Sequence, residues 1–243
     1  MKKIFLYILA GSLCFAACKK DDEVETFVEP EDINVRNSYD EQAIQKFMDN
    51  NYLDLQGNIK AFTADAADDN EKKLSQLNPQ TLPSGVIYIK RTGAQPEDST
   101  PPSTGVAIGD STQIKTMMRA NYYLATETDG NISLGNPGVL LNTIDGSGSP
   151  VTDPTFYFVK KSVRTAAGQN SSYYEIAGLK EGLKQFTGFE NLPDANPYNL
   201  QGVIIVPSKA AFARNANYYN LQNASFVFNF QIYKAVHRPS NQQ

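Results

Sequence analysis

The stretch EIAGLKEGLKQF, residues 175–186, decides the fold of this chain. Its apolar residues recur at helical spacing and predict a short amphipathic helix. Yet Gly178 and Gly182 lie inside it, four residues apart and therefore on one face. A glycine inside a helix costs roughly 0.5–1 kcal/mol relative to alanine. The reason for these two glycines must therefore lie in what packs against that face of the helix.

Strand patterns flank this helix. Residues 200–208 and 223–235 predict two strands after it, and the second alternates cleanly. The residues on its first face are Phe226, Phe228, Phe230 and Ile232, and those on its second are Ser225, Val227, Asn229 and Gln231. Upstream, strands are predicted at 84–93, 110–126 and 154–160. Irregular segments are predicted at 94–108 and 127–151, and at 187–199 after the helix. The chain is therefore predicted to be α+β, a curved antiparallel sheet wrapped around one short central helix.

Residues 1–17 are predicted to be a secretory signal peptide. Lys2 and Lys3 precede an apolar run that is shorter than the roughly 20 residues needed to span a bilayer. The stretch FAAC resembles a bacterial lipobox, in which the cysteine is acylated and becomes the first residue of the mature chain. We therefore expect lipid on Cys18 and attachment to the outer membrane through the acyl chains.

The segment after the lipidation site is charged and poor in apolar residues, so residues 18–36 predict a flexible tether. KKDDE directly after Cys18 resembles the signal that sends Bacteroidetes lipoproteins to the cell surface. Both a surface-facing and a periplasm-facing position remain open. Because Cys14 leaves with the signal, the mature chain has no thiol left for a disulfide or a cysteine metal site.

Residues 37–82 predict an N-terminal helical extension followed by a linker. Within it, 38–53 predicts a helix in which Ser38 and Glu41 form a capping box. Ile44, Phe47, Met48 and Tyr52 fall on one face of that helix. We expect this stripe to pack on the main domain, with docking of a separate partner as the alternative.

Composition excludes several classes of function. Removing the two signal-peptide lysines lowers the formal net charge from −4 to −6, which argues against a nucleic-acid partner. The single histidine, His237, falls in a predicted surface tail at 237–243. Neither a metal ion nor a cofactor is expected, since no histidine, cysteine or carboxylate motif stands out.

Three segments together resemble the FK506-binding-protein (FKBP) type of peptidyl-prolyl cis-trans isomerase. They are IAGLKEGL, VIIVPSKAAFARN and NASFVFNFQIYKA, against the family patterns I-x-G-W/L-x-E-G-L, P-S-x-x-A-Y-G and N-x-x-L-V-F-x-V-E-L. Order and spacing match over about 60 residues. The N-terminal half aligns loosely, so the resemblance covers residues 83–236.

The resemblance implies a reason for the two glycines. In the family, this helix crosses the concave face of the sheet and its start forms the floor of the ligand pocket. Gly178 would clear space for a bound chain, and Gly182 would let the helix approach the sheet closely. An apolar pocket of this kind favours the twisted amide of a proline-containing polypeptide, whose rotation barrier is roughly 18–20 kcal/mol.

Carried over by position, the resemblance implies a set of pocket residues: Tyr123, Phe156, Ile176, Leu179, Phe212 and Phe228. The backbone N–H of Ile176 would bind the substrate carbonyl beside the proline. Departures weaken the enzyme hypothesis. Phe212 replaces a tyrosine that donates to the bound peptide, Ala213 replaces a glycine, and the family's F-D pair is at best echoed by LLN at 140–142.

Three hypotheses follow. The chain is a lipid-anchored isomerase that helps exported proteins fold, or an isomerase-like domain with degraded catalysis that serves as a chaperone or as a subunit of an outer-membrane complex. The long loops favour the second, since insertions near a pocket commonly carry partner contacts. A glycan-binding lipoprotein is the third, although the chain has no tryptophan for sugar stacking.

Overall fold

The structure is a computed structural model that describes residues 27–240. The predicted signal peptide, Cys18 and residues 241–243 lie outside the described residues. Within the described part, no helix is both long enough and apolar enough to cross a membrane.

The described chain contains three α-helices and eleven strands, with short 3-10 and π turns between them. The helices are α1 (Ile33–Asp49), α2 (Lys161–Ala166) and α3 (Ala177–Leu183). The strands are β1 (Asn51–Leu53), β2 (Ile59–Ala61), β3 (Gln80–Thr81), β4 (Ile87–Lys90), β5 (Val106–Ala107), β6 (Thr112–Thr128), β7 (Asn131–Asn142), β8 (Val151–Thr152), β9 (Thr187–Gly188), β10 (Gly202–Val206) and β11 (Ala224–His237).

Seven strands form one antiparallel sheet in the order β3-β4-β10-β11-β6-β7, with β8 also paired to β6. The register places Phe228 of β11 between Ile204 of β10 and Ala120 of β6. Pairs β1–β2 and β5–β9 form two separate small sheets. All these pairings are antiparallel, as the sequence predicts.

Helix α3 lies on one face of the large sheet. Leu179 and Leu183 pack in one buried cluster with Phe226, Phe228 and Phe230 of β11, and β6 and β10 contribute to the same cluster. The prediction of an α+β fold with the sheet wrapped around one short central helix is therefore confirmed.

The second face of the sheet is buried as well, because the N-terminal extension covers it. Ile44 and Met48 of α1 pack in a second cluster with Leu74 and with Val227 of β11. The expected packing of the α1 stripe on the main domain is confirmed. Polar residues of β11 are buried beneath this layer, and Asn229 donates to the carbonyl of Gly57 at 3.0 Å.

Helix α1 begins earlier than predicted. Asp32 is its N-cap and accepts a hydrogen bond from the Asn34 N–H at 2.8 Å. Ser38 therefore lies inside the helix, and residues 33–36, predicted as tether, belong to it. The helix also ends at Asp49, so Tyr52 lies in β1 and not on the helical stripe.

A β-hairpin occupies the segment predicted to be irregular around 127–151. Strand β7 pairs with β6 from the Thr128–Asn131 pair onward, across a two-residue turn. Asp129 and Gly130 have φ values of 52° and 74°, as a type I′ turn requires. The Asp-Gly pair was the signal for this hairpin, and the glycines and proline farther along β7 obscured it.

The aromatic segment 154–160 is a turn and not the predicted strand. The N–H groups of Tyr157 and Phe158 both bond to the carbonyl of Pro154, at 2.7 and 3.0 Å. Alternation of aromatic residues is therefore misleading here, because these side chains fill the core from a turn. Helix α2, which follows directly, was not predicted.

A buried ion pair fastens α1 to the sheet. Arg36 and Asp40 have no exposed surface, and their side chains bond to each other at 2.9 Å. Arg36 also donates to the carbonyls of Ala125 and Asn223, both at 2.7 Å. The second carboxylate oxygen of Asp40 accepts the Ser208 N–H at 2.8 Å. One pair thus ties α1 to β6 and to both ends of the segment between β10 and β11.

Replacing Arg36 with methionine should lower the free energy of unfolding by about 3–5 kcal/mol, because Asp40 would remain buried without its cation. Urea denaturation of a soluble form of the protein that starts at Lys19 measures this free energy. The matched control is Lys209→Met, since Lys209 and Glu41 form an exposed pair at 3.1 Å that should contribute less than about 1 kcal/mol. Equal effects of the two substitutions would contradict the docking of α1 through this pair.

Candidate functional site

The candidate site lies where α3 begins, on the face of the large sheet that α3 covers. Five of the six predicted residues meet there in one cluster: Phe156, Ile176, Leu179, Phe212 and Phe228. The rings of Phe156 and Phe228 are 5.6 Å apart between centroids, a spacing typical of favourable aromatic pairs. The turn at 154–160, helix α3 with its N-cap, the segment between β10 and β11, and β11 therefore supply one apolar site.

Tyr123, the sixth predicted residue, lies on the opposite face of the sheet. It pairs with Ser225 and its ring packs against Phe47 of α1 at 5.7 Å. Its neighbour Tyr122 is the tyrosine that packs against the site's cluster. Side chains of a strand alternate between faces, so an error of one position moves the residue to the other side.

The sequence held a signal for this assignment. Because alternate residues of a strand point to the same face, Lys115 and Arg119 lie on the same side of β6 as Tyr123. The apolar Ile114 and Met118 lie on the side of Tyr122. A face that carries two cations is the wrong face for an apolar site. Following this alternation of side chains along β6 selects Tyr122 as the residue that faces the site.

The site is filled by its own side chains. Ile176, Leu179 and Phe228 have no exposed surface, and Phe156 and Phe212 expose only 4 % and 3 %. Cores packed this closely leave few voids larger than a water molecule. A ligand could contact these side chains only after the site has opened.

The backbone donor at the start of α3 is already engaged. The Ile176 N–H, which the resemblance implies for a substrate carbonyl, donates to the carbonyl of Phe156 at 2.8 Å. Ile176 occupies the N-cap position of α3 and has no side-chain cap. This bond joins the helix to the turn at 154–160, so it closes the site from the backbone side.

Polar groups near the site serve structural bonds. Glu175 accepts the Val159 N–H at 2.8 Å and the Lys180 ammonium at 3.0 Å, which anchors the same turn from its other end. The Tyr157 hydroxyl donates to the carbonyl of Thr112 at 2.8 Å, and burial raises its pKa. Across residues 27–240, no His, Cys, Asp and Glu side chains group so as to hold a metal ion.

The LLN segment does not restore the family's polar pair. Leu141 packs against the site's cluster from β7. Asn142 turns its side chain to the backbone, where its carbonyl oxygen accepts the N–H groups of Ile144 and Asp145, each at 3.0 Å. Asn142 therefore caps a turn and contributes no group to the site.

An aromatic path that the sequence analysis missed leads from the site to the surface. Phe212 packs on Phe226 at 5.9 Å and on Tyr219 at 5.8 Å, and Tyr219 packs on Tyr218 at 5.1 Å. Tyr218 is 56 % exposed. The doubled tyrosines YY at 173–174 and 218–219 were the sequence signal, but only their approach in space gives them meaning.

Comparison with known proteins gives a distant likeness in fold. No protein-family model and no curated protein sequence matches the chain. FkpA from Escherichia coli is 17% identical, with 66% of this chain and 53% of FkpA covered and a TM-score of 0.36. The chain thus spans about half the length of FkpA.

A second solved structure is a peptidyl-prolyl cis-trans isomerase from Pseudomonas syringae pv. tomato. It is 11% identical, with 86% of this chain and 100% of the isomerase covered and a TM-score of 0.35. Because these identities and TM-scores are low, a functional assignment has to be argued from the geometry of the site itself.

The two helical glycines both face the sheet. A Cβ on Gly182 would lie 2.7 Å from Ile204, which confirms the expected close approach. A Cβ on Gly178 would lie 2.5 Å from Val206 and 2.8 Å from the carbonyl of Ala210. The expectation that Gly178 clears space for a bound chain is therefore wrong, since its space is taken by the protein.

Gly178→Ala should lower the free energy of unfolding by about 1–2 kcal/mol, because overpacking outweighs the gain in helix propensity. Urea denaturation checks this. Gly146→Ala is the matched control, since a Cβ there meets nothing within 4 Å and should change stability little. Unchanged stability of the Gly178 variant would restore the interpretation that open space lies beside this position.

Proposed function

We propose that this chain is an FKBP-like polypeptide-binding module, held at the outer membrane by lipid on Cys18, whose isomerase chemistry has lapsed. Its partners are exported polypeptides, free or within an outer-membrane protein complex. A cell-surface position fits the KKDDE segment after Cys18, and a periplasm-facing position is the alternative.

The hydrogen bond between the Ile176 N–H and the Phe156 carbonyl carries this proposal. A donor that already has a good internal acceptor gains little from a substrate carbonyl, because only the difference between the two bonds is available. Transition-state stabilisation requires interactions that are stronger there than in the ground state. The closed site lacks such an interaction.

The substitutions at the site point the same way. Phe212 has no hydroxyl, and Asn142 is engaged in a turn. The site therefore keeps apolar walls while its polar groups are absent or engaged elsewhere. Such a site suits burial of an apolar segment more than rotation of an amide.

Active isomerisation is a second candidate, and one observation favours it. Phe156, Leu179, Phe212 and Phe228 gather at the start of α3, as the resemblance implies. If the turn at 154–160 swung away and took Phe156 with it, Leu179, Phe212 and Phe228 would line an apolar pocket. The bond from Ile176 and the bonds of Glu175 would have to break first.

Cis/trans exchange measured by NMR on short Xaa-Pro peptides separates the two candidates. We expect the soluble chain that starts at Lys19 to accelerate proline cis/trans exchange no more than an inert control protein does. The Phe212→Tyr variant should accelerate this exchange only slightly. Acceleration by the natural chain, lost in Phe156→Leu while the fold is kept, would establish the isomerase instead.

Binding needs its own measurement. We expect a stoichiometric amount of the chain to slow the aggregation of a chemically unfolded protein diluted into buffer, followed by light scattering. An inert protein of similar size and net charge is the control. If neither aggregation nor proline exchange responds, the chain is not a polypeptide-binding module.

A further inference from the structure

Strand β7 forms one edge of the large sheet. It pairs with β6 on one side, and in the part of the chain that the structure describes no strand lies along its other side. An unpaired strand edge carries backbone N–H and C=O groups that are ready to pair with another chain. The hairpin between β6 and β7 determines which residues offer these groups.

The two-residue turn at 129–130 fixes the hydrogen-bonding pattern of β7. The residues that flank such a turn, here Thr128 and Asn131, bond to each other through their backbones, and bonded and non-bonded pairs then alternate. Ile132 and Leu134 occupy non-bonded positions opposite β6. Their backbone N–H and C=O groups therefore point away from β6, and no other described residue bonds to them.

The first half of β7 lacks the features that usually protect an edge strand. These features are charged side chains, proline and β-bulges. The second half is protected, because Asn136 has a φ of 47°, Pro137 follows it, and the register with β6 shifts there. Residues 131–135 contain neither a charged residue nor a proline, and their register with β6 is regular. This short segment of regular edge is therefore open to pairing.

An open groove of about 600 Å³ lies between this edge and helix α1. The helix wall consists of polar side chains between Glu41 and Asp49, and the strand wall consists of Gly130, Asn131 and Ile132. A strand added to β7 would lie about 4.8 Å from it, with alternate side chains directed into this groove. The candidate site is filled by its own side chains, whereas this groove accepts a ligand without any opening of the core.

The charge around the groove favours a basic ligand. The groove and the adjoining hairpin tip carry the carboxylates of Glu41, Asp49, Glu127 and Asp129 and the ammonium group of Lys46. Lys46 is bonded to the Asn131 side chain at 2.6 Å, and Lys209 pairs with Glu41 at 3.1 Å. Hydrogen bonds from Ser75 and Gln45 lower the pKa of Asp49, so this carboxylate is ionised at neutral pH. Negative charge therefore prevails where a bound chain would lie.

We propose that the first half of β7 binds an extended polypeptide segment with basic side chains, which joins the large sheet as a further antiparallel strand. Ile132 and Leu134 make the main-chain bonds, and the basic side chains lie in the groove beside α1. Strand addition is a recurring mode of peptide recognition, in which main-chain bonds give affinity and alternate side chains give specificity. This inference rests on the proposed function and deepens it, because it names the binding surface and the class of polypeptide.

A second copy of the chain suits this edge less well. If two β7 strands paired antiparallel, the two sheets would become continuous and both α1 helices would lie on the same face. The carboxylates of the two grooves would then approach each other, and like charges brought together oppose association. A separate basic segment brings the opposite charge to the same place.

The test is an NMR titration of the soluble chain that starts at Lys19 with the blocked peptide Thr-Val-Lys-Val-Thr-Val-Lys-Val-Thr. We expect shifts along the groove between α1 and β7, and slower hydrogen exchange at the Ile132 and Leu134 amides. Replacing both lysines of the peptide with glutamate should weaken binding at least about tenfold, because the charge is reversed beside the carboxylates.

N-methylated peptides test the main-chain bonds in the natural protein. In an antiparallel pair, residues that bond to each other have side chains on the same face, so the lysine amides are the ones that bond to β7. N-methylation of the two lysines should weaken binding at least about tenfold. N-methylation of the two central valines is the matched control and should change the affinity less than about threefold.

A pair of variants tests the same bonds from the side of the protein. Ile132→Pro removes an outward N–H and leaves the bonds between β7 and β6 in place, as proline on an edge strand allows. It should weaken binding of the lysine peptide at least about tenfold. Ile132→Ala keeps the N–H and should weaken binding less than about threefold.

The proposal is overturned if none of the peptides binds, if the two N-methylated peptides bind alike, or if the two Ile132 variants have equal effects in folded protein. A dimer in sedimentation analysis that Ile132→Pro dissociates would overturn it in favour of a second copy. The proposed function fails separately, through the light-scattering assay. A chain that slows aggregation but does not bind the lysine peptide at β7 loses only the strand-addition site.

Discussion

The close approach of α3 to β10 is the constraint on which the rest of the structure depends. Gly178 and Gly182 let the helix backbone lie where any side chain would collide with Val206 and Ile204. Because α3 lies so close to the sheet, large side chains fit on this face only around the two ends of the helix. The aromatic residues of β11 fill that room, and the site is formed by their packing at the start of α3.

The same packing explains why the site is closed. The turn at 154–160 brings Phe156 against Phe228, and its backbone carbonyl takes the N–H of Ile176. On the outer face, α1 holds the segment between β10 and β11 through Arg36 and Asp40. Two layers thus fix the loops around the site, and one of them is the N-terminal extension that packs on the sheet.

The sequence was informative where one face of an element has one environment. Helix α3 and β11 are predictable because each carries its large apolar side chains on one face, whereas β10 is a short continuous apolar run that is buried on both faces. Tyr123 is the wrong choice because Tyr122 and Tyr123 are adjacent on β6 and point to opposite faces of the sheet. Only the cations on the Tyr123 side of the strand indicate which tyrosine faces the site. The turn at 154–160 resembles a strand in composition, since its aromatic residues are selected by the core and not by the backbone.

Hydrogen exchange at the Ile176 amide, followed residue by residue with NMR, tests the central claim most directly. If the site is closed by its bond to Phe156, this amide should exchange as slowly as those of β10 and β11, because exchange requires opening of the core. Saturation with a short Xaa-Pro peptide should leave that rate unchanged. Rapid exchange in the free chain, slowed by the peptide, would contradict the account and show a donor held open for a substrate carbonyl.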